Sequence, residues 1–356
     1  AIANVRNIEH AEVELCPGLN HFHGGNGAGK TAVLEAIHIL CRGRSFRSPL
    51  VRDVITRGQD AFLVRGEWQD TQQGVRSVAI RRSLTSGAEL RIDTRKVARI
   101  SEIAKLTPLQ TLLPDVSELI FGGPKQRRNW LDWGMFHVKP AYLTVLRDFL
   151  RVLKQRNASL RIGDGDVRSQ SAWDHEFSDL SQQIDQFRRQ YLDELEPYLV
   201  AVMAALIPEV KLTYDYRRGW PAGEAIEKLL GESGPREVKY GVTPWGPHRA
   251  DIRFKVADRD AAKVLSRGQG KLLATSLKVA QVALLNELQG KASLFLIDDV
   301  GAELDQEHSS MFFRLLRDQG SQIVSTSVQN LSGREFGFSA SDTATFHVKH
   351  GAVIKE

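Results

Sequence analysis

Eight consecutive residues carry the strongest chemical signal in the chain: Gly24, Gly25, Asn26, Gly27, Ala28, Gly29, Lys30 and Thr31. Their spacing fits G-x-x-x-x-G-K-[ST], a loop that cradles phosphates. Glycines let the backbone curl so that successive N–H groups point inward as an anion nest. A helix beginning near Lys30 adds its positive end. Lys30 is then expected to reach the β- and γ-phosphates of a nucleotide, and the Thr31 hydroxyl to sit on Mg²⁺. A ligand-free Gly-rich turn shares the spacing, but the flanks favour the phosphate loop. Apolar Leu19 to Phe22 precedes it, and Ala32, Val33, Ala36, Ile37 and Leu40 follow at helical spacing.

Two further stretches have chemistry-bearing residues. Leu294-Phe295-Leu296-Ile297 is an unbroken apolar run ending in Asp298-Asp299. Such runs read as parallel strands buried on both faces. A carboxylate at the carboxyl end of one lands beside the phosphate loop. Asp298 is expected to hold Mg²⁺ through water, and Asp299 to orient or deprotonate an attacking water. Leu265-Ser266-Arg267-Gly268-Gln269 opens a long helical pattern. A hydroxyl on Ser266, the Gly268 N–H and a helix N-terminus suit a γ-phosphate; an ordinary capped helix start has the same residues.

The elements that must position these residues are legible in outline. Short strands are expected at 2–5 and 12–15, with Arg6-Asn7 between them and a Pro17-Gly18 turn before the loop. After the loop helix comes Arg42-Gly43-Arg44-Ser45-Phe46-Arg47, then Arg52 and Arg57. This arginine-rich stretch reads equally as a DNA or nucleotide contact and as a solvated loop. Strand alternation returns at 61–68, 75–82 and 90–94, an antiparallel subdomain. Leu143, Leu146, Leu150 and Leu153 then recur at helical spacing, as do Phe177, Leu180, Ile184, Phe187, Tyr191, Leu195, Tyr198 and Val202. The second run spans about 30 residues, hence about 45 Å, with Pro197 as a kink point. With a Gly163-Asp164-Gly165-Asp166 turn between them, the two runs predict an antiparallel helical arm. Trp130, Trp133 and Phe136 read as its core. Gly234-Pro235 to Gly246-Pro247-His248-Arg249 reads as a return connection. Then come a strand at 252–256, a helix of about 20 residues after Lys271, a helix at 306–316, and strands at 322–325, 345–348 and 352–354.

A chain of 356 residues suggests two or three domains. The expected division is a head in two parts, 1–112 and 239–356, with the helical arm at 113–238 inserted. Apolar content of 42% and charged content of 26% fit a soluble globular protein. No apolar run reaches the ~18–20 residues a membrane span needs, and no basic-then-apolar signal pattern opens the chain. The first residue is not Met and Ala1 already reads as strand, so a short leader is expected to be missing. Cys16 and Cys41 lack metal-like spacing and read as buried residues in a reducing cytosol. A net charge of +5 makes an acidic polymer a reasonable partner.

Taken together, the phosphate loop, the Ser266–Gln269 turn and the Asp298-Asp299 strand resemble the ABC-type ATPases. The fold so implied is α/β: an ABC-type P-loop ATPase head with an antiparallel β subdomain and an inserted helical arm domain. In that family the Ser-x-Gly-Gln signature binds the nucleotide held by a second copy, so ATP joins two heads. The resemblance also makes Gly301-Ala302-Glu303-Leu304-Asp305 a loop at the dimer seam. It makes Gln110 a catalytic and metal-sensing residue that reports Mg²⁺ and γ-phosphate status to the arm. The family's switch position, a His in transporters, falls at or near Ser327.

In transporter ATPases the signature follows the loop by about a hundred residues; here Lys30 and Ser266 are 236 positions apart. That spacing resembles the SMC-like DNA-repair heads, although the arm is too short for their coiled coils. The RecF family matches more specifically. Its resemblance rests on Val33-Leu34-Glu35-Ala36-Ile37, Arg42–Ser48, Phe121-Gly122-Gly123-Pro124-Lys125-Gln126-Arg127-Arg128 and Leu131-Asp132-Trp133-Gly134. Leu153-Lys154-Gln155-Arg156-Asn157, Gly246-Pro247-His248-Arg249-Ala250-Asp251 and Leu265–Gln269 add to it.

This resemblance implies a cytoplasmic, nucleoid-associated protein of bacterial DNA replication, recombinational gap repair and the SOS response. Its cofactors are ATP and Mg²⁺. It dimerises with ATP, binds DNA near single-strand/double-strand junctions, and works with RecR, indirectly with RecO, to load RecA. Asp299 stands where transporters commonly carry Glu, so slow hydrolysis is expected. DNA-contact candidates are Lys125, Arg127, Arg128, Arg151, Lys154 and Arg156. A transporter-type ATPase subunit and a small-molecule P-loop kinase are the competing readings; the second leaves Ser266–Gln269 without a role.

Overall fold

A computed structural model of the chain describes residues 1–70, 74–162, 167–290, 292–303 and 305–356. The elements run β1 (Ile2–Val5), β2 (Ile8–Ala11), β3 (Leu19–His23), α1 (Lys30–Arg42), α2 (Val51–Val54), β4 (Ala61–Asp70), β5 (Gly74–Ser83), β6 (Gly87–Ile92), β7 (Arg95–Lys96), α3 (Ile100–Ala104) and β8 (Leu109–Leu112). Next come α4 (Glu118–Phe121), α5 (Pro124–Val138), α6 (Tyr142–Ile162), α7 (Val167–Leu206), β9 (Leu212–Arg217), α8 (Ile226–Tyr240), β10 (Asp251–Val256), β11 (Arg259–Asp260), α9 (Ala261–Val264) and α10 (Arg267–Gln289). The chain closes with β12 (Leu294–Ile297), α11 (Val300–Glu303), α12 (Gln306–Asp318), β13 (Gln322–Ser327), β14 (Thr343–Lys349) and β15 (Ala352–Lys355).

Two compact units result: residues 1–116 with 285–356, and residues 117–284. The sequence grouped 239–284 with the head; in the structure this segment packs in the second unit, because β10 pairs with β9 and Trp130 of α5 meets Phe254 of β10.

The first unit holds two sheets. One has the order β15-β14-β3-β13-β12-β8. Its neighbours pair in parallel from β14 through β8, and β15 closes the edge antiparallel. All four residues of β12 are buried, as a strand covered on both faces requires. The other sheet, β2-β1-β4-β5-β6-β7, is wholly antiparallel. Helix α1 shares one core with both. Val33, Leu34, Ala36 and Ile39 cluster with Val64, Val78 and Ile80 of the antiparallel sheet and with Phe22, Leu296, Val324 and Phe346 of the parallel one. A helix buried nearly all round is held rigidly, and so is the loop feeding it.

In the second unit α6 and α7 run antiparallel. Phe149 meets Phe177 at 5.2 Å, Arg151 pairs with Glu176 at 3.2 Å, and Arg156 with Asp174 at 2.7 Å, so partners rise on one helix as they fall on the other. Helix α7 continues through Pro197. The expected turn at 163–166 lies outside the described residues. Trp130 is buried and its indole N–H donates to Leu277 O at 3.3 Å, a core role as expected.

Several expectations need correction. The second strand is Ile8–Ala11, not 12–15, because Val5 pairs with Ile8 across the two-residue turn Arg6-Asn7, with Arg6 at φ 56°. The helical run to about 236 is interrupted by β9, whose Leu212, Tyr214 and Tyr216 alternate along the strand. Gly234-Pro235 falls inside α8, where buried Ile226, Leu229 and Leu230 set a helical face that outweighs two poor helix formers. Cys41 is buried, but Cys16 is only half-buried; both are free.

Candidate nucleotide site

The phosphate loop links β3 to α1, as the flanks require. Gly24 has φ 148°, and a Cβ there would lie 2.2 Å from Val348 O; only glycine lets the loop leave the sheet beside β14. Nothing but backbone caps α1: Gly29 offers no side chain, so the first-turn N–H groups remain available to an anion. The Lys30 ammonium donates to Gly24 O at 2.8 Å and Gly25 O at 3.0 Å, which stations its charge over the loop.

The loop is also held from outside. The Asn7 amide donates to Ala28 O at 3.1 Å and the Gly351 N–H donates to the same carbonyl at 2.8 Å. The Ala28 carbonyl is thereby tied to β15's turn and to Asn7, which fixes the curl of the loop from outside. Arg6, next to Asn7, donates two hydrogen bonds of 2.8 Å to Glu35 of α1, whose side chain is fully buried. Ser45 also donates to Glu35, and Arg47 lies 3.8 Å away. Glu35 therefore ties the arginine-rich segment to the loop helix. Arg42 of that segment donates to Leu109 O at 2.8 Å, and burial pushes its guanidinium down to about 10.

Asp298 follows β12 directly and is 8% exposed. The Thr31 hydroxyl donates to its carboxylate at 3.1 and 3.2 Å. Two residues separated by 267 positions are thus joined, because β12 and β3 flank β13 in one parallel sheet. A hydroxyl and a carboxylate are hard oxygen donors, the set Mg²⁺ takes, and Mg²⁺ completes its octahedron with water and phosphate oxygens. The pair fits that ion.

Thr326 of β13, fully buried, was not singled out by sequence. Its hydroxyl donates to Asp298 Oδ1 at 2.8 Å and accepts the Asp299 N–H at 2.9 Å. Asp299 has φ 56°, a left-handed conformation uncommon outside glycine. One hydroxyl therefore orients the first carboxylate and anchors the strained backbone that aims the second. The available signal was Ser325-Thr326-Ser327 at the end of an apolar strand. Ser327 carries the family's switch position, and its neighbour Thr326 is the residue that reaches Asp298. Ser327 lies 3.0 Å from His21 Nε2, while His21 Nδ1 lies 2.9 Å from Ser325 Oγ. Burial pushes His21 down to about 4, so it is neutral.

Gln110 does not join the site. It sits within β8 in register with Phe295, three positions short of the strand tip that carries Asp298, about 10 Å back along the sheet. Its amide oxygen accepts the Thr111 N–H at 3.2 Å and its side chain is buried. Strand β8 runs two residues past Gln110, to Leu112.

Ser266 and Gln269 belong to the second unit. They form a reciprocal cap on α10: the Gln269 N–H donates to Ser266 Oγ at 3.2 Å, and the Ser266 N–H donates to Gln269 Oε1 at 3.0 Å. The capped-start reading is thus met, and it leaves the hydroxyl proton and the Gly268 N–H facing solvent, since Ser266, Arg267 and Gly268 are all exposed. In the segment 301–305, Asp305 caps α12 by accepting the His308 N–H at 2.9 Å; Leu304 lies outside the described residues.

The basic candidates separate by burial. Arg156 is 3% exposed, donating to Asp174 at 2.7 Å and Thr243 at 2.8 Å, and burial takes it out of reach of a polyanion. Arg127 grips Asp251 with two bonds of 2.7 and 3.2 Å, and Arg128 donates to Ala250 O at 2.7 Å. Both serve internal contacts. Lys125, Arg151 and Lys154 are exposed. Among the described residues no helix is long and apolar enough to cross a membrane.

Comparison with known proteins agrees with this geometry. The family model described as RecF/RecN/SMC N terminal domain matches residues 1–338. The DNA replication and repair protein RecF of Pseudomonas paraeruginosa is 38% identical over 353 residues, 99% of this chain and 96% of that protein. Its counterpart in Pseudomonas fluorescens is 37% identical over 355 residues, 100% of this chain and 97% of that one. A solved structure of the recombination mediator protein RecF with ATP, of the RecFOR pathway, superposes with a TM-score of 0.89 at 24% identity, covering 100% of this chain and 96% of that one. An SMC head bound to the C-winged helix domain of ScpA gives 0.59 at 14% identity, covering 100% and 95%. These likenesses establish the fold.

Proposed function

The chain belongs to the RecF family of DNA replication and repair proteins, and on that basis we propose that it is an ATP-dependent DNA-binding protein of recombinational gap repair. The observation that carries the nucleotide reading is the Thr31–Asp298–Thr326 chain of hydrogen bonds beside an uncapped helix N-terminus.

In this reading the free N–H groups of the loop and of the first turn of α1, with the Lys30 ammonium, bind the phosphates of ATP. Thr31 and Asp298 would hold Mg²⁺, which would supply positive charge against the phosphates. Asp299 accepts a proton from the attacking water. Its side chain is one methylene shorter than Glu, on a backbone already held left-handed, so hydrolysis is slow. The exposed Ser266 hydroxyl and Gly268 N–H of a second copy grip the γ-phosphate. Nucleotide state thereby becomes dimer state, and the dimer serves as a timed clamp on DNA.

Further elements come from the family. The protein works near single-strand/double-strand junctions, with RecR and indirectly RecO, to load RecA. Exposed Lys125, Arg151 and Lys154 meet the DNA backbone without reading sequence, so binding falls with salt.

The test is the oligomeric state of wild type and Ser266→Arg with ATP, ADP and no nucleotide, alongside fluorescence titration with gapped DNA. An ATP-driven dimer that Ser266→Arg abolishes while single-site ATP binding survives is the expected result. A monomer in every state overturns the clamp. A turnover above ~10 s⁻¹, the enzyme median, overturns the timer.

A further inference from the structure

Within Phe121–Arg128, Lys125 is exposed, whereas Arg127 and Arg128 are engaged internally. The internal contacts give the segment a role of its own. Phe121 closes α4, and its ring lies under the first turn of α10: the Arg267 guanidinium stands 4.9 Å over the ring centroid. A Cβ on Gly270 would fall 2.3 and 2.4 Å from two carbons of that ring. Ring and helix therefore approach as closely as a glycine allows, and any larger residue at 270 must push one of them away.

The ring itself is fixed from behind. Arg127 Nη1 donates to Gly122 O at 2.7 Å, and the same guanidinium grips Asp251 of β10 through its other nitrogens. A planar fork satisfied on three sides holds one geometry. The turn after Phe121 is thus latched to the sheet β11-β10-β9, and the ring stands on a rigid base. The opposite wall is a cavity of about 460 Å³ lined by Phe121, Arg127, Asp251, Phe254, Ala261 and Lys263 among others.

We propose that Phe121 is a positioning residue: it seats the first turn of α10 through Gly270 and Arg267, and so fixes the direction in which Ser266, Gly268 and Gln269 face a second copy's nucleotide. The proposal rests on the clamp reading above. Arg127 is the second positioning residue, acting through Gly122 and Phe121. Neither touches ATP.

Three variants test this: Phe121→Ala, Phe121→Tyr and Gly270→Leu, with wild type and Ser266→Arg as references. Two measurements are made on each full-length protein, namely ATP-dependent dimerisation by light scattering and hydrogen exchange of the amides of residues 267–271 without nucleotide. Phe121→Ala is expected to raise the protein concentration for half-maximal dimerisation tenfold or more. Its single-site ATP affinity should stay within twofold of wild type, and exchange at 267–271 should speed up at least tenfold. Phe121→Tyr should behave as wild type. Gly270→Leu should lose the ATP-driven dimer, and Phe121→Ala combined with Gly270→Leu should recover part of it by making room.

Wild-type exchange in Phe121→Ala overturns the seat. Faster exchange with wild-type dimerisation, while Ser266→Arg stays monomeric, overturns the link from seat to signature. If Ser266→Arg dimerises like wild type, the clamp reading itself fails, and exchange alone still decides whether Phe121 holds the helix.

Discussion

Replacing Thr326 with Val is the sharpest probe of the site, because it removes one oxygen and keeps the shape. Two hydrogen bonds go at once: the donation to Asp298 Oδ1 at 2.8 Å and the acceptance of the Asp299 N–H at 2.9 Å. A hydrogen bond to a charged group is worth ~1.5–3 kcal/mol, and an orphaned buried donor costs ~1–3 kcal/mol. Asp298 keeps the Thr31 hydroxyl, so the first loss falls near the low end. We expect the protein to lose about 3 kcal/mol in urea unfolding by this count.

Hydrolysis should suffer more specifically. Without its anchor, Asp299 no longer has a reason to hold φ 56°, and its carboxylate drifts. A shift of ~1 Å in a positioned group costs ~10²-fold, equivalent to about 2.7 kcal/mol of barrier. Single-turnover hydrolysis of labelled ATP should therefore fall about 100-fold, with the ATP dissociation constant changed less than about threefold because the loop N–H groups and Lys30 are untouched. Thr326→Ser, which keeps the hydroxyl, should restore both. If Thr326→Val hydrolyses ATP within about threefold of wild type, or if Thr326→Ser is as impaired as Val, the two-carboxylate anchoring role is wrong.

Other expectations follow from the same contacts. Lys30→Ala should abolish ATP binding measured by equilibrium titration, since it removes the charge stationed over the loop. Asp299→Asn should keep ATP binding and prolong the ATP-driven dimer while hydrolysis drops at least ~100-fold, on the scale of a lost general base; rapid turnover in this variant would rule Asp299 out as the base. Arg156→Ala should destabilise by ~2–4 kcal/mol, a buried pair broken with Asp174 partly exposed, whereas Lys154→Ala should leave stability alone and lower only the salt dependence of DNA binding. Burial pushes His21, His38 and His248 each down to about 4, below the ordinary histidine value of 6.5, and so holds them neutral. The unfolded chain binds more protons between those values, so stability is unaffected above pH 6.5 and falls as pH drops towards 4, by ~1.4 kcal/mol per pH unit per histidine. His21→Asn should flatten that slope by one proton in a pH series of urea titrations.

The chemistry of the nucleotide site was local, and local chemistry is readable. Gly24–Thr31 needs a strand before it and a helix after it, and both are encoded in neighbouring residues. Leu294–Asp299 announces a strand buried on both faces by being apolar without alternation. The reciprocal cap of Ser266 and Gln269 is a four-residue pattern. Antiparallel pairing of α6 and α7 followed from two apolar stripes and a short connection. Each of these signals lies within one continuous stretch of chain.

What the sequence left open depended on register and burial, which are properties of distant pairs. Gln110 looked well placed until its register with Phe295 set it three positions back from Asp298. Thr326 became a site residue because strand alternation turned it towards Asp298 and sent Ser327 to His21. Arg127, Arg128 and Arg156 carry the same charge as Lys154, but their electrostatic partners lie up to 124 positions away. A residue's type tells what it can donate or accept. Only the fold determines which buried group takes that capacity first, and so which charges remain for a ligand.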